Sequence, residues 1–391
     1  MEKTLTVELV SENVSRNMFY YASLELPAKD YEVLDAHHRA RTFTAGDGYR
    51  DICITSCEQI PQLVDVRLDA PNMDELNFLA ERLAVLPEDE IVVFQAVFQK
   101  YQEDGRLEEP VSMKDLINMT YGLENVSVIG GVWDDSDLGH FVIDNDLDDE
   151  LATLSDEALK FLDVEKVGRR MREREGGVFV MNHYVPTDDY EMPEIYNGVT
   201  LPSQGKPDTW FAFRLKVAES PVNSANETEE TAEWISLPIR ERDAQKIARA
   251  HNERDIEDCV CYEFESIVPQ ITSSHFENML EFSKLNKLAM LMTLMPPADQ
   301  VKFKAVLELE EPADLNGILE CAYHLDEYEM SAKLDDESSY FQKYLNQHLS
   351  PGFDRKWLDS LVCHCEGVDL LKKMGGCVTE YGVIAGRGRQ L

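Results

Sequence analysis

The chain has 391 residues, of which 43% are hydrophobic and 29% charged, so it is long enough for two to three domains and can bury a real core. Its 75 Asp and Glu against 37 Lys and Arg leave a formal net charge of −38. That balance excludes a free-standing DNA or RNA binder, which needs cations to neutralise phosphates, and it disfavours docking on an anionic membrane.

The first residues carry no basic segment leading into an apolar run, and no stretch of about 18 apolar residues occurs, so neither a signal peptide nor a membrane-spanning helix is expected. The eight cysteines then read as reduced thiols of a cytoplasmic protein.

In chain order, residues 4–10 and 19–26 alternate apolar with polar and are rich in aromatic and β-branched types, which predicts strands. A short helix is expected after Leu26-Pro27, and a further strand over 51–55. Leu76, Leu79, Ala80, Leu83 and Leu86 fall on one helical face, with Asp74, Asn77 and Glu81 turned away. Pro87 breaks that helix, and Glu88-Asp89-Glu90 opens the next, where negative charge suits the helix dipole. This second helix should bury Ile91, Phe94, Val97, Phe98 and Tyr101. Further on, Ser155 and Asp163 read as N-caps of helices over 156–162 and 164–174. Gly176-Gly177 ends the latter, and 178–185 reads as one strand. In the second half, 211–217, 232–237 and 258–264 predict strands, and 285–295 and 299–309 predict helices.

The two halves resemble each other. Of the 23 positions from 76 to 98, nine are identical to those 209 residues later, including Leu76/Leu285, Asn77/Asn286, Pro87/Pro296 and Phe94/Phe303. Weaker matches keep the same order: Leu26-Pro27 with Leu237-Pro238, Pro61-Gln62 with Pro269-Gln270, Gly168 with Gly367, and Gly176-Gly177 with Gly375-Gly376. A period this long means two copies of a domain and not a solenoid. The expected fold is therefore α+β, with two tandem copies of an elongated unit, each having small strand-rich ends flanking a helical middle. The first unit covers 1–196, a linker rich in Gly, Pro and Ser covers 197–207, and the second, diverged copy covers 208–391.

No catalytic motif is present: no phosphate-binding loop, no dinucleotide fingerprint, no His-Glu-x-x-His and no Gly-x-Ser-x-Gly. Cys363-His364-Cys365 lacks the paired spacing of structural zinc sites. Asp144, Asp146 and Asp148 begin like a calcium loop, but Asp149 and Ser155 stand where Gly and Glu are required. Neither a metal, a cofactor nor an enzymatic activity is expected. Arg169, Arg170, Arg172 and Arg174 alternate with Glu165, Glu173 and Glu175 and read as intrahelical ion pairs.

Charge is the remaining signal. Residues 1–200 hold 42 acids against 17 bases, and 101–150 hold 14 against 2. Like charges at this density repel and cost stability, which points to a use for them. The candidate partner-binding acids are Glu81, Glu88, Asp89, Glu90, Glu103, Asp104, Glu108, Glu109, Asp134, Asp135, Asp137, Asp144, Asp146, Asp148, Asp149 and Glu150. For any one of them plain solvation suffices, and the expectation concerns the ensemble.

Several segments resemble the ArdA antirestriction family. They are Asp74-Glu75-Leu76-Asn77-Phe78-Leu79-Ala80-Glu81-Arg82-Leu83, Asp137-Leu138-Gly139-His140-Phe141, and Leu162-Asp163-Val164-Glu165-Lys166-Val167-Gly168-Arg169-Arg170. Glu175-Gly176-Gly177-Val178-Phe179 and His183-Tyr184-Val185 complete the set, in the family's order, over about residues 1–190. Leu325-Asp326-Glu327-Tyr328 is similar to a signature of long ArdA-like proteins of Firmicutes.

The resemblance implies an elongated, often dimeric DNA mimic encoded by a mobile genetic element. Such a protein lays its carboxylates in the DNA-binding groove of a type I restriction-modification enzyme and does not itself bind nucleic acid. Duplex DNA carries one charge per ~1.7 Å, so 38 net charges correspond to roughly 65 Å of duplex. Two alternatives use the same acids. One is an acidic inhibitor or adaptor of another basic DNA-handling protein, such as a CRISPR effector. The other is a carboxylate- or metal-dependent enzyme, which a single Asp→Asn change would abolish.

Overall fold

The computed structural model describes residues 2–13, 18–42, 49–64, 66–202, 210–220, 231–349 and 364–386. Among them the fold is α+β, with thirteen α-helices and four small three-stranded antiparallel sheets. None of these helices is long and apolar enough to cross a membrane.

The chain begins with β1 (Leu5–Asn13), β2 (Met18–Leu26), α1 (Asp30–Arg39) and β3 (Asp51–Ser56). Then come α2 (Met73–Leu83), α3 (Glu88–Glu103), α4 (Met113–Met119) and β4 (Ile129–Gly130). They are followed by α5 (Asp135–Asp144), α6 (Asp156–Leu159), α7 (Val164–Arg174), β5 (Val178–Val180) and β6 (His183–Val185). The second half holds β7 (Phe213–Ala218), β8 (Glu233–Leu237), α8 (Glu241–Ala250) and β9 (Val260–Ser266). It continues through α9 (Phe282–Leu294), α10 (Pro297–Glu310), α11 (Leu315–Tyr323), β10 (Tyr328–Ser331), α12 (Glu337–His348) and α13 (His364–Lys373). It ends with β11 (Cys377–Thr379) and β12 (Gly382–Gly386). Two compact units result: Met1–Lys29 with Tyr49–Lys206, and Asp30–Gly48 with Pro207–Leu391. Helix α1 is thus part of the second unit.

In the first unit β1 is the central strand of the order β2-β1-β3, with a register shift between Thr6 and Val7. Alternation sorts β2 as expected: Tyr20, Ala22, Leu24 and Leu26 are buried, while Tyr21, Ser23 and Glu25 face solvent. Helix α2 starts at a reciprocal cap, in which Glu75 N donates to Asn72 Oδ1 at 2.9 Å and Asn72 N to the Glu75 carboxylate at 3.4 Å. Its predicted face is buried. Asn77 is not a bystander, because its Oδ1 accepts from Ala28 N at 2.6 Å and so ties the helix to the end of β2. In α3 every residue from Val92 to Phe98 is buried, including Gln95, whose amide donates to Gln59 O at 2.7 Å. Ile91 stays half-exposed.

Two expectations need correction. The helix after Ser155 ends at Leu159, because Asp163 must be extended to let its carboxylate cap Lys166 N, and this separates α6 from α7. The run 178–185 is a hairpin and not one strand. Met181, at φ 55°, reverses the chain so that Val178 pairs with Val185. Strand β6 then lies between β4 and β5. A small core of Val132, Leu138, Val142 and Tyr184 joins this sheet to α5 and α7.

The second unit orders its first sheet β8-β7-β9, with the shift on the central strand between Lys216 and Val217. Asn286 Oδ1 accepts from Ile239 N at 2.8 Å. The last sheet is ordered β10-β12-β11. The core runs from Phe213 and Leu215 through Leu285 and Leu288 to Phe303, Val306 and Ile384. Leu334, Tyr340, Leu370 and Val383 form a smaller cluster around α12 and α13.

Candidate functional site

All sixteen candidate acids belong to the first unit, and the fold sorts them into five places. Glu81 sits on α2, half-buried, where burial pushes its carboxyl above the usual range. Glu88, Asp89 and Glu90 form the first turn of α3. Glu103 and Asp104 end the same helix, about 22 Å away at 1.5 Å per residue, and exposed Glu108 and Glu109 follow. Asp134, Asp135 and Asp137 open α5, with Asp134 as N-cap accepting from Ser136 N at 2.8 Å and Asp137 N at 3.0 Å. Asp144 is the last residue of α5, and Asp146, Asp148, Asp149 and Glu150 follow it.

The structure separates acids spent inside the fold from those left to solvent. Asp135 is bridged by Arg172, Nε to Oδ1 at 2.7 Å and Nη2 to Oδ2 at 3.1 Å, with Arg169 at 3.5 Å. The Arg172 hydrogen bond holds the Asp135 carboxyl below the usual carboxylate range. Asp148 accepts from Arg174 at 2.7 Å and from its own Glu150 N and Leu151 N, which also depresses it. Glu150 faces Arg170 at 3.6 Å, and Asp104 faces Lys100 at 3.2 Å. The other twelve acids make no ion pair among the described residues.

The arginine island therefore needs a correction. Arg169 pairs within α7, to Glu165 at 2.6 Å, but Arg170, Arg172 and Arg174 reach out of the helix to Glu150, Asp135 and Asp148. The reason is the close approach of α5 to α7 at two glycines. A Cβ on Gly139 would lie 1.9 Å from Val164 O, and one on Gly168 would lie 1.8 Å from Asp135 O. That approach brings the α5 N-terminus within reach of Arg172.

Among the described residues no three His, Cys, Asp or Glu side chains converge in a metal-binding arrangement. Cys363 and the side chains of His364 and Cys365 lie outside the described residues, as do 203–207 of the expected linker. Burial pushes the Cys259 thiol up to about 12 and those of Cys261 and Cys321 up to about 11, the opposite of an activated nucleophile.

A second polar group, not foreseen from the sequence, is buried in the second unit. Lys304 on α10 donates to Asp35 Oδ1 on α1 at 2.6 Å, and Tyr381 OH donates to the same oxygen at 2.9 Å. Arg39 Nε meets the other oxygen at 3.0 Å, His38 Nδ1 lies 3.3 Å from Lys304 Nζ, and Gln270 donates to Tyr381 OH at 3.1 Å. Burial lowers the Lys304 ammonium below its usual range. Burial first, and then Lys304, bring His38 down to about 4. Both Asp35 oxygens are engaged, and the group fastens α1 onto α10, while the buried Gln270 Oε1 has no hydrogen-bond partner among the described residues. The group's sequence signal is faint: Lys304 stands between Phe303 and Ala305 on the buried side of α10, and Lys302 nearby gives the same local pattern.

The described residues of the first unit thus carry an acidic surface on which no three potential metal ligands converge. No protein-family model matches the chain, and no curated protein matches it significantly.

Proposed function

We propose that this protein is a DNA-mimic antirestriction protein whose first unit occupies the DNA-binding groove of a type I restriction-modification enzyme. The observation that carries the reading is the set of twelve carboxylates on α2, α3, α5 and the turns after them that have no cation of their own among the described residues. Among the described residues these charges are uncompensated, and an acceptor groove built for phosphates would compensate them. Base edges are not needed, because non-specific affinity for duplex is mostly phosphate electrostatics. A different basic DNA-handling protein would use the same surface.

In this reading the chain is a tandem duplication. Supporting it are the matching strand orders, the register shift on each central strand, and the Asn77 and Asn286 side chains that hold Ala28 and Ile239. Gly168 and Gly367 add to this, since a Cβ on either would strike the backbone oxygen at the start of the partner helix, Asp135 O or Glu337 O.

The test is graded charge removal. A single change such as Asp146→Asn should leave inhibition of a purified type I enzyme within about twofold. Neutralising Glu88, Asp89, Glu90, Glu103, Glu108 and Glu109 together should weaken it by at least tenfold and flatten its salt dependence. Abolition by one Asp→Asn change would instead indicate catalysis.

A further inference from the structure

We infer that the first unit carries an apolar anchor pocket, and that it takes a single large apolar side chain from a Lys/Arg-rich protein segment. The inference rests on the proposed function in that the partner is basic, and it names the contact that charge alone does not supply.

A cavity of about 300 Å³ lies between the end of α5, the turn at 148–151 and α7. Its floor is Val142, Leu151, Leu162, Val167 and Met171. Lys166, Arg170 and Arg174 stand along its rim at four-residue spacing, one stripe of α7. Each already has a counter-ion: Asp163 at 2.9 Å, Glu150 at 3.6 Å and Asp148 at 2.7 Å. Each rim cation thus has a carboxylate partner within 4 Å, so none stands unpaired for an anionic ligand.

The surroundings are negative. Asp144, Asp146, Asp149 and Glu157 make no ion pair among the described residues, and residues 144–174 hold ten acids against six bases. An acidic peptide or a nucleic acid is repelled there, and a basic segment is drawn in. The same stretch leaves Leu147 44%, Leu154 40% and Phe161 90% exposed, so apolar surface continues outside the cavity.

A basic segment with one apolar residue satisfies both features. Its side chain fills the floor, in the manner of an interface anchor, while its flanking cations meet the free aspartates. This contact does not weaken with salt, unlike the charge contacts around it. It gives the protein a hold that duplex DNA does not have.

The test uses the full chain and two synthetic peptides, Lys-Arg-Lys-Trp-Arg-Lys and the same peptide with Gly for Trp. Affinity is followed by methyl NMR at Leu151, Val167 and Met171. The Trp peptide should bind about tenfold to a hundredfold tighter. The ratio should persist as salt is raised, with shifts centred on those methyls. Met171→Trp, which fills the cavity, should bring the ratio to near one, and Leu151→Gln serves if that variant does not fold. Equal affinities, or shifts away from these methyls, overturn the pocket whatever the protein does to a restriction enzyme. A retained ratio with no displacement of duplex from that enzyme overturns only the choice of partner.

Discussion

Lys304 Nζ lies 2.6 Å from Asp35 Oδ1, a pairing across 269 residues in which the side chains are 4% and 7% exposed. Removing the ammonium leaves the buried Asp35 carboxylate with only Arg39 and Tyr381 OH, so the loss falls at the low end of the about 3–5 kcal/mol typical of breaking a buried ion pair. Lys304→Met should lower the urea-unfolding free energy of the second unit by that amount. The double variant Lys304→Met with Asp35→Leu should recover more than half of the loss, because an apolar pair of similar volume has no charge to desolvate. A double variant as unstable as the single would show that Arg39 and Tyr381, and not the ion pair, hold α1 in place.

His38 gives the second unit an acid sensitivity of definite sign. Unfolded, its imidazole takes up a proton near pH 6.5, whereas in the fold burial and Lys304 hold that uptake down to about 4. The stabilising contribution is complete above pH 6.5 and is lost as the pH falls towards 4, at about 1.4 kcal/mol per pH unit. His37, also lowered by burial, adds in the same direction. Denaturation measured from pH 7 to 4 should therefore show a shallower decline for His38→Gln than for the unchanged chain. Parallel declines would contradict the assignment.

The contact between α5 and α7 should not tolerate a methyl group. Gly168→Ala and Gly139→Ala place a Cβ within 2 Å of backbone oxygen, and backbone cannot yield as a flexible side chain does. Each should destabilise the first unit by about 3 kcal/mol or more. Each should also lengthen the Arg172–Asp135 contact, raising the Asp135 carboxyl from its depressed value. Thermal melting and carboxyl NMR titration check both effects, and an unchanged melting temperature would rule out the close packing.

How far this fold was legible in the sequence depends on which forces act locally. The buried face of α2, the break at Pro87 and the cap at Asp163 follow from spacing and from one residue's chemistry, so they can be read directly. The turn at Met181 could not be read, because no Gly or Asn marks the left-handed residue. Helix α5 is hidden inside an acid-rich stretch where Leu138, Phe141, Val142 and Ile143 are bracketed by Asp135, Asp137 and Asp144. The arginines of α7 offer ion pairs both within the helix and outside it, and only the glycine-mediated approach of α5 decides between them. The acidic surface was visible as a count of charges. Which acids remain free was not, because it depends on where Arg170, Arg172 and Arg174 reach. The group around Asp35 and Lys304 joins distant segments and leaves almost no local trace.

The sorting of acids yields a separate prediction. Asp135 and Asp148 are engaged by α7, so Asp135→Asn with Asp148→Asn should reduce the stability of the first unit while leaving partner affinity within about threefold. Neutralising Asp144, Asp146 and Asp149 should do the reverse. Paired unfolding and binding measurements distinguish the two, and equal effects on binding would mean that the internal pairs open in the complex.

The central claim is that these free carboxylates stand in for duplex phosphates. The most direct measurement is a titration of the full chain into a purified type I restriction-modification complex holding labelled duplex, repeated from about 50 to 200 mM salt. The account predicts displacement at low salt, with an affinity that falls steeply and linearly on logarithmic axes, as counterion release requires. Duplex that stays bound at low salt, at any protein concentration, would contradict it.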